Sequence, residues 1–336
     1  MWNKIYHIWD EQNGMWSVEK TIQESISNAL LLAPQEHGDL LLNACPGTDH
    51  IDKLSQNNFT ILFGGADQSF YNNGTFKNIK VFLWPTYWAT YTWVNLQTKD
   101  VTYNNIDALY LNMNGKARWH RCYLMDELCK HELLKHGKCT WHERYTSPNH
   151  PDNYKWEYWK PKMLLLNNYN DDRGQWHLPE QYKSTLFSLV AETTVKEIFI
   201  TEKTWIPLLT GKPLLVLGGK GFHEKLKQMG FKLYDELFDY DFDNKENLTD
   251  RVEGIISNIK NLCNQDYNAL RVKINDKATY NKQHAINIAK DYSLVPEVLK
   301  QAMNQITQQD PDVFKEQMLM NGSLVDIKRV LDIYKS

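Results

Sequence analysis

A recurring unit constrains this chain more than any other feature: a short apolar run, a polar loop carrying glycine, then a stretch with helical spacing. Apolar runs bounded by turn residues read as strands, and strands alternating with helical stretches read as parallel sheets covered by helices. In the first half, "KIYHIW" (4–9), "DLLLNA" (39–44), "FTILFGG" (59–65) and "IKVFLWP" (79–85) read as strands, and "SVEKTIQESISNALLLA" (17–33) as a helix capped by Ser17. "ALYLNMN" (108–114) reads as a further strand, and "RWHRCYLMDELCKHELLKHG" (118–137) as a helix closed by Gly137. The aromatic, proline-bearing stretch 140–162 reads as an interdomain linker or a loop.

A second alternating set follows. "STLFSLVAET" (184–193) and "EIFIT" (197–201) are strand-like, "EKTWIPLLTG" (202–211) is helical, and "KPLLVLGG" (212–219) is a strand. "FHEKLKQMG" (222–230) is helical, and "FKLYDELF" (231–238) is a short strand and turn. From Leu248 the text is mostly helical, with a last helix near "PDVFKEQMLM" (311–320). Two such halves predict an α/β fold of two sheets facing across a cleft, with ligands beyond the carboxyl ends of the strands. The expected division is 1–150, 151–290 and a helical segment 291–336.

Composition narrows the function classes. A chain of 336 residues exceeds one ordinary core. A formal net charge of -3 gives no general attraction to nucleic acid. No apolar run is long enough to span a membrane, and "MWNKIYHIWDEQNG" has neither the apolar core nor the cleavage site of a signal peptide. Five cysteines without a dense framework fit a reducing compartment, so the expected location is cytoplasmic, or the host cytoplasm for a viral protein. Cys122 and Cys129 read as core thiols, and no metal site is expected. In "WPTYWATYTW" (84–93), Trp84, Tyr87, Trp88, Tyr91 and Trp93 divide between core packing and stacking on acceptor sugars.

The chemistry concentrates in "FITEKTWIPLLTGKPLLVLGG" (199–219). A strand ending near Ile200, a cap at Thr201 and a helix starting at Glu202 place free N–H groups and Lys203 where a phosphate binds. Glu202 beside them has the chemistry to accept hydrogen bonds from ribose hydroxyls. Adjacent side chains do not face each other along a helix, so Glu202 and Lys203 are expected to have separate partners. A nucleoside diphosphate needs both charges. Pro207 is expected to kink this helix and Gly211 to end it.

Together with Phe187, Leu189 and Glu192, this stretch resembles the donor-site signature of α1,3-fucosyltransferases and of related viral and bacterial glycosyltransferases: F-x-L-x-x-E-N-S, then Y-I-T-E-K, a helix, glycine and a proline-led strand. "LNMNGKARWHR" (111–121) is similar to the N-x-x-x-R-x-H-R segment of the same relatives. Phe199 stands where that pattern has tyrosine, Glu192-Thr193-Thr194 where it has E-N-S, and Ala66 where a G-E-N-like segment has its glutamate. The resemblance implies the GT-B fold, two Rossmann-like domains facing across a cleft, with acceptor on the first and nucleotide sugar on the second. It implies that Glu202 holds the ribose, that Lys203 and Arg118 (or Arg121) hold the diphosphate, and that Glu192 shapes the donor pocket after the cap at Thr201.

Sugar transfer needs a stabilised leaving diphosphate and a group that takes the acceptor's proton. Fixed cations can serve the first need, and the sequence offers no D-x-D triplet of the metal-dependent type, so an inverting, metal-independent enzyme without a resident cofactor is expected. The donor is GDP- or UDP-linked and the acceptor a carbohydrate or other hydroxyl. For the base, Asp67 after the double glycine is favoured over Asp49, His50 and Asp10. Arg118 and Arg121 sit at a helix start, where positive charge is unfavourable unless an anion is nearby. The acidic run "DYDFDNKE" (239–246) is expected to face water. An exostosin-like or retaining enzyme, a sugar-nucleotide epimerase and a non-catalytic carbohydrate-binding protein are the alternatives.

Overall fold

The computed structural model describes the strands β1 (Lys4–His7), β2 (Ala29–Leu32), β3 (Thr60–Gly64) and β4 (Lys80–Trp84), and then residues 101–141 except 104 and 116, 154–160, 162, 164, 178–196, 198 and 200–290. It divides into two compact units, Met1–Thr92 with Ile288–Ser336, and Trp93–Asn287. In the first unit β1 to β4 form a parallel sheet in sequence order, with Lys4 opposite Ala29, Leu30 opposite Thr60 and Thr60 opposite Lys80. Three expected strands are present. The fourth corrects a reading: "ALLL" closes no helix but is β2, paired on both sides. A continuous apolar run satisfies a buried strand and a buried helix turn equally, and here sheet pairing decides. "DLLLNA", Asp10, Asp49, His50, Asp67, residues 85–93 of the aromatic stretch and the 311–320 helix lie outside the described residues.

The second unit holds β5 (Ala108–Met113), α1 (Trp119–Lys130), β6 (Gly137–Thr140), β7 (Thr185–Ala191), α2 (Glu202–Thr210), β8 (Leu214–Leu217), α3 (Phe222–Gln228), α4 (Leu248–Leu262), α5 (Tyr267–Lys273) and α6 (Asn275–Lys290). Its sheet is wholly parallel in the order β6-β5-β7-β8. β5 and β6, which the division at residue 150 assigns to the first half, therefore share a sheet with β7 and β8. Every residue of β7 and β8 is buried, as expected of a parallel sheet covered on both faces. Leu109, Leu124, Phe187, Leu215 and Ile255 are among its core, each contributing about 1.5–3 kcal/mol by burial.

Several local expectations are corrected. The helix after Arg118 ends at Lys130, and Glu132 takes the left-handed conformation (φ 55°) expected of Gly137. Gly137 instead opens β6, where a Cβ would lie 2.2 Å from the Tyr110 ring, so close packing requires the glycine. The stretch read as a linker or loop is a loop over 154–160, within the second unit, and packs on α1: Asp126 accepts from the N–H groups of Glu157 (2.8 Å), Tyr158 (2.8 Å) and Trp159 (2.7 Å) and from the Tyr154 hydroxyl (3.0 Å). Ile198 and Ile200 are not in a strand, and neither is 231–238. In the acidic run, Asp239 and Asp241 are exposed but Asp243 is buried, accepting from the His223 and Glu224 N–H groups to cap α3 and from His223 Nδ1 at 2.8 Å. At the amino end of β7, the buried Lys212 ammonium donates to the Tyr182 and Thr185 carbonyls and to Thr185 Oγ1.

Candidate functional site

The chain turns one way from β5 to its neighbour β6 and the other way from β7 to β8. The connections leaving β5 and β7 thus diverge at the carboxyl edge of two adjacent strands, the topology that opens a ligand crevice in parallel sheets. The residues singled out from the sequence fall on these two connections.

After β7 comes Glu192, fully buried. Its carboxylate accepts from Thr201 N (3.1 Å), Thr201 Oγ1 (2.6 Å) and Thr204 Oγ1 (2.6 Å). Burial raises its pKa; Lys203 and the two threonine hydroxyls oppose that, and the net is upward. Glu192 therefore ties the end of β7 to the start of α2 and does not present its oxygens to a ligand. Thr201 caps α2 as expected, its Oγ1 accepting from Lys203 N at 3.2 Å. Gly211 ends α2 in the left-handed conformation (φ 68°), and Pro207 lies within it.

Glu202 and Lys203 open this helix, and here one expectation is corrected. They are partners: Lys203 Nζ donates to Glu202 Oε1 at 2.7 Å, and also reaches Thr201 Oγ1 (3.3 Å) and Thr193 Oγ1 (3.5 Å). The rule that neighbours diverge holds along a helix body; in the first turn no preceding turn separates the two side chains. Burial pushes the Glu202 pKa up, but the Lys203 charge and hydrogen bond outweigh it with help from Arg121, and the carboxyl is held below its ordinary range.

On the other connection, Arg118 is the residue that precedes α1, and no acidic residue lies in the first turn of that helix. Its Nε is buried without a hydrogen-bond partner. Arg121 is buried and donates through one terminal nitrogen to the Glu192 carbonyl at 3.2 Å. His120 bonds the same carbonyl through Nε2 at 2.8 Å. Its pKa is depressed to about 3 by burial first and then by Arg121, Arg118 and Arg251, the Glu192 bond opposing. A neutral imidazole is what a strongly cationic neighbourhood enforces. Of the two arginines, Arg121 braces the edge through the Glu192 carbonyl.

Thr193, Thr204 and Arg251 were not singled out from the sequence. Arg251 carried a signal like that of Arg118: a cation at the start of a helix, where the dipole opposes it, here beside Asp250. Lys203 and Arg121 thus act on the carboxylates Glu192 and Glu202 at one sheet edge, while Arg118 and Arg251 add positive charge felt at the neighbouring His120. Such an edge suits an anion with a polar hydroxyl-bearing neighbour. Among the described residues no cluster of His, Cys, Asp or Glu has a metal-binding arrangement, and no helix is long and apolar enough to cross a membrane.

No protein-family model matches the chain, and no curated protein does. Among solved structures, a crystal structure of the DNA modifying enzyme beta-glucosyltransferase, in the presence and absence of the substrate uridine diphosphoglucose, is similar over 84% of this chain and 98% of that one, at 10% identity and a TM-score of 0.33. Those values are too low to transfer an activity.

Proposed function

We propose that the chain is a glycosyltransferase that moves a sugar from a nucleoside-diphosphate donor to an acceptor hydroxyl, the donor lying at the carboxyl edge of the β6-β5-β7-β8 sheet. The observation that carries this reading is the convergence of Glu202, Lys203 and the arginine group at the divergence of the β5 and β7 connections. In this reading Glu202 accepts from the ribose hydroxyls, while Lys203 and Arg118 hold the diphosphate. Arg121, Thr201 and Glu192 fix the positions of these groups. The two units correspond to the two Rossmann-like domains of a GT-B enzyme, acceptor on the first.

The anomeric carbon's bond to the diphosphate breaks with its electron pair moving to the departing phosphate oxygen. The acceptor oxygen forms the new bond on the opposite face and gives its proton to a carboxylate, assigned to Asp67. Lys203, Arg118 and the α2 N-terminus stabilise the charge that grows on the leaving group, the task a divalent ion performs in other enzymes. Transfer is therefore expected to be inverting and to persist in excess EDTA.

A thermal-shift screen with GDP, UDP, ADP and CMP, followed by transfer assays with the matching sugar donors with and without EDTA, tests the reading. Stabilisation by a nucleoside diphosphate and chelator-resistant transfer are expected. Stabilisation by free sugars alone would replace it with a carbohydrate-binding protein, and reaction without acceptor with an epimerase.

A further inference from the structure

Arg251 lies in the first turn of α4, remote in sequence from the motifs that pointed to the site. Only 6% of it is exposed. One terminal nitrogen donates to the Gly218 carbonyl at 2.6 Å, just beyond β8, and the other to the Val195 carbonyl at 3.2 Å, just beyond β7. Its Nε is buried without a hydrogen-bond partner. Asp243 and Glu246 act on it as charges and do not hydrogen-bond it; the Asp243 oxygens are taken by His223 and the α3 N-terminus. A cation buried against carbonyl dipoles is not neutralised, so its potential reaches its surroundings through a medium that screens weakly. Its charge is felt at His120, in the midst of the Arg118 and Arg121 group.

A clamp between two strand ends needs hydrogen bonds but no charge; an asparagine or glutamine satisfies carbonyls at lower desolvation cost. A guanidinium here stands against both burial and the α4 dipole; Asp243 and Glu246 offset that only as charges, Asp250 lies in the same turn, and the Nε–H of Arg251 keeps no hydrogen-bond partner. We infer that Arg251 is a further cation of the anion site, a positioning residue that pins the ends of β7 and β8 and adds its positive potential to a bound diphosphate. The inference rests on the proposed donor site but concerns only its phosphate-binding part.

Calorimetry on the full chain tests it with inorganic pyrophosphate, and in parallel with uridine and guanosine and their diphosphates. Arg251→Gln should weaken pyrophosphate and diphosphate binding about tenfold, and leave nucleoside affinity within about twofold, because only charged ligands sense the lost potential. Arg251→Lys should recover most of that loss. Equal weakening for nucleosides and diphosphates, no weakening at all, or a lysine variant as weak as the glutamine one would overturn the inference and leave a structural clamp. If Arg251→Gln does not fold, the Arg251 Nε–H resonance of the wild-type protein, assigned by its loss in Arg251→Lys, should shift on adding pyrophosphate; an unmoved resonance in a protein that binds pyrophosphate overturns it equally. Wild-type protein that binds pyrophosphate but no nucleotide removes the glycosyltransferase reading while leaving this test intact, and protein that binds neither removes both.

Discussion

Replacing Lys203 with methionine keeps the stem of the side chain and removes its charge. Lys203 Nζ sits 2.7 Å from Glu202 Oε1, with about a quarter of the lysine side chain (26%) and a fifth of the glutamate (20%) exposed. Two unit charges about 4 Å apart interact by about 4 kcal/mol at the effective dielectric of a protein surface. Partial exposure and salt reduce that by about half, leaving about 2 kcal/mol for a bound diphosphate, or roughly thirtyfold in affinity. The Glu202–Lys203 pair itself, partly solvated, should contribute only about 0.5 kcal/mol to folding. Calorimetry of Lys203→Met should thus show a roughly thirtyfold weaker nucleoside diphosphate, a nearly unchanged nucleoside, and a melting temperature within about 2 °C of wild type. A loss shared equally by nucleoside and diphosphate would refute the assignment of Lys203 to phosphate, and unchanged affinity for both would remove it from the site.

His120, held neutral with a pKa of about 3, keeps its full contribution above its ordinary value and loses it as pH falls toward 3. The unfolded chain takes up a proton that the folded one refuses, so unfolding free energy should drop by about 2 kcal/mol from pH 7 to pH 5, and His120→Gln should flatten that slope in urea titrations. Glu192→Ala strands Thr201 N–H and two threonine hydroxyls in the interior, and should destabilise the protein by about 2–4 kcal/mol in the same assay; a cost below about 1 kcal/mol would show that Glu192 is not what holds α2 to β7. Gly137→Ala drives a methyl group into the buried Tyr110 ring, and should cost about 1–3 kcal/mol, read as a lower melting temperature.

The α2 segment was legible because its signals are local. Thr201 as cap, Glu202 at the start and Gly211 at the end act within one turn of themselves, and each is where the spacing puts it. β3, β4, β5, β7 and β8 were legible from apolar runs alone. β2 was not, because "ALLL" continues a helical pattern and only its partners in β1 and β3 make it a strand. Gly137 was misread because its reason is the Tyr110 ring, distant in sequence. The Glu202–Lys203 contact was missed for a local reason, the open first turn of α2, whereas distance in sequence again hid the Glu192–Thr204 bond and Arg251, whose partners lie 33 and 56 residues away. The local part of that last signal, a cation against a helix dipole, was present in "NLTDRVEG".

The measurement that bears most directly on the donor site is a crystal structure of the protein with the nucleoside diphosphate that stabilises it best. Phosphate oxygens are expected within hydrogen-bond distance of Lys203 Nζ and Arg118, and ribose hydroxyls on the Glu202 carboxylate, with Arg251 still bonded to Gly218 and Val195. A nucleotide bound away from the carboxyl ends of β5 and β7, with Glu202 and Lys203 still holding only each other, would contradict it.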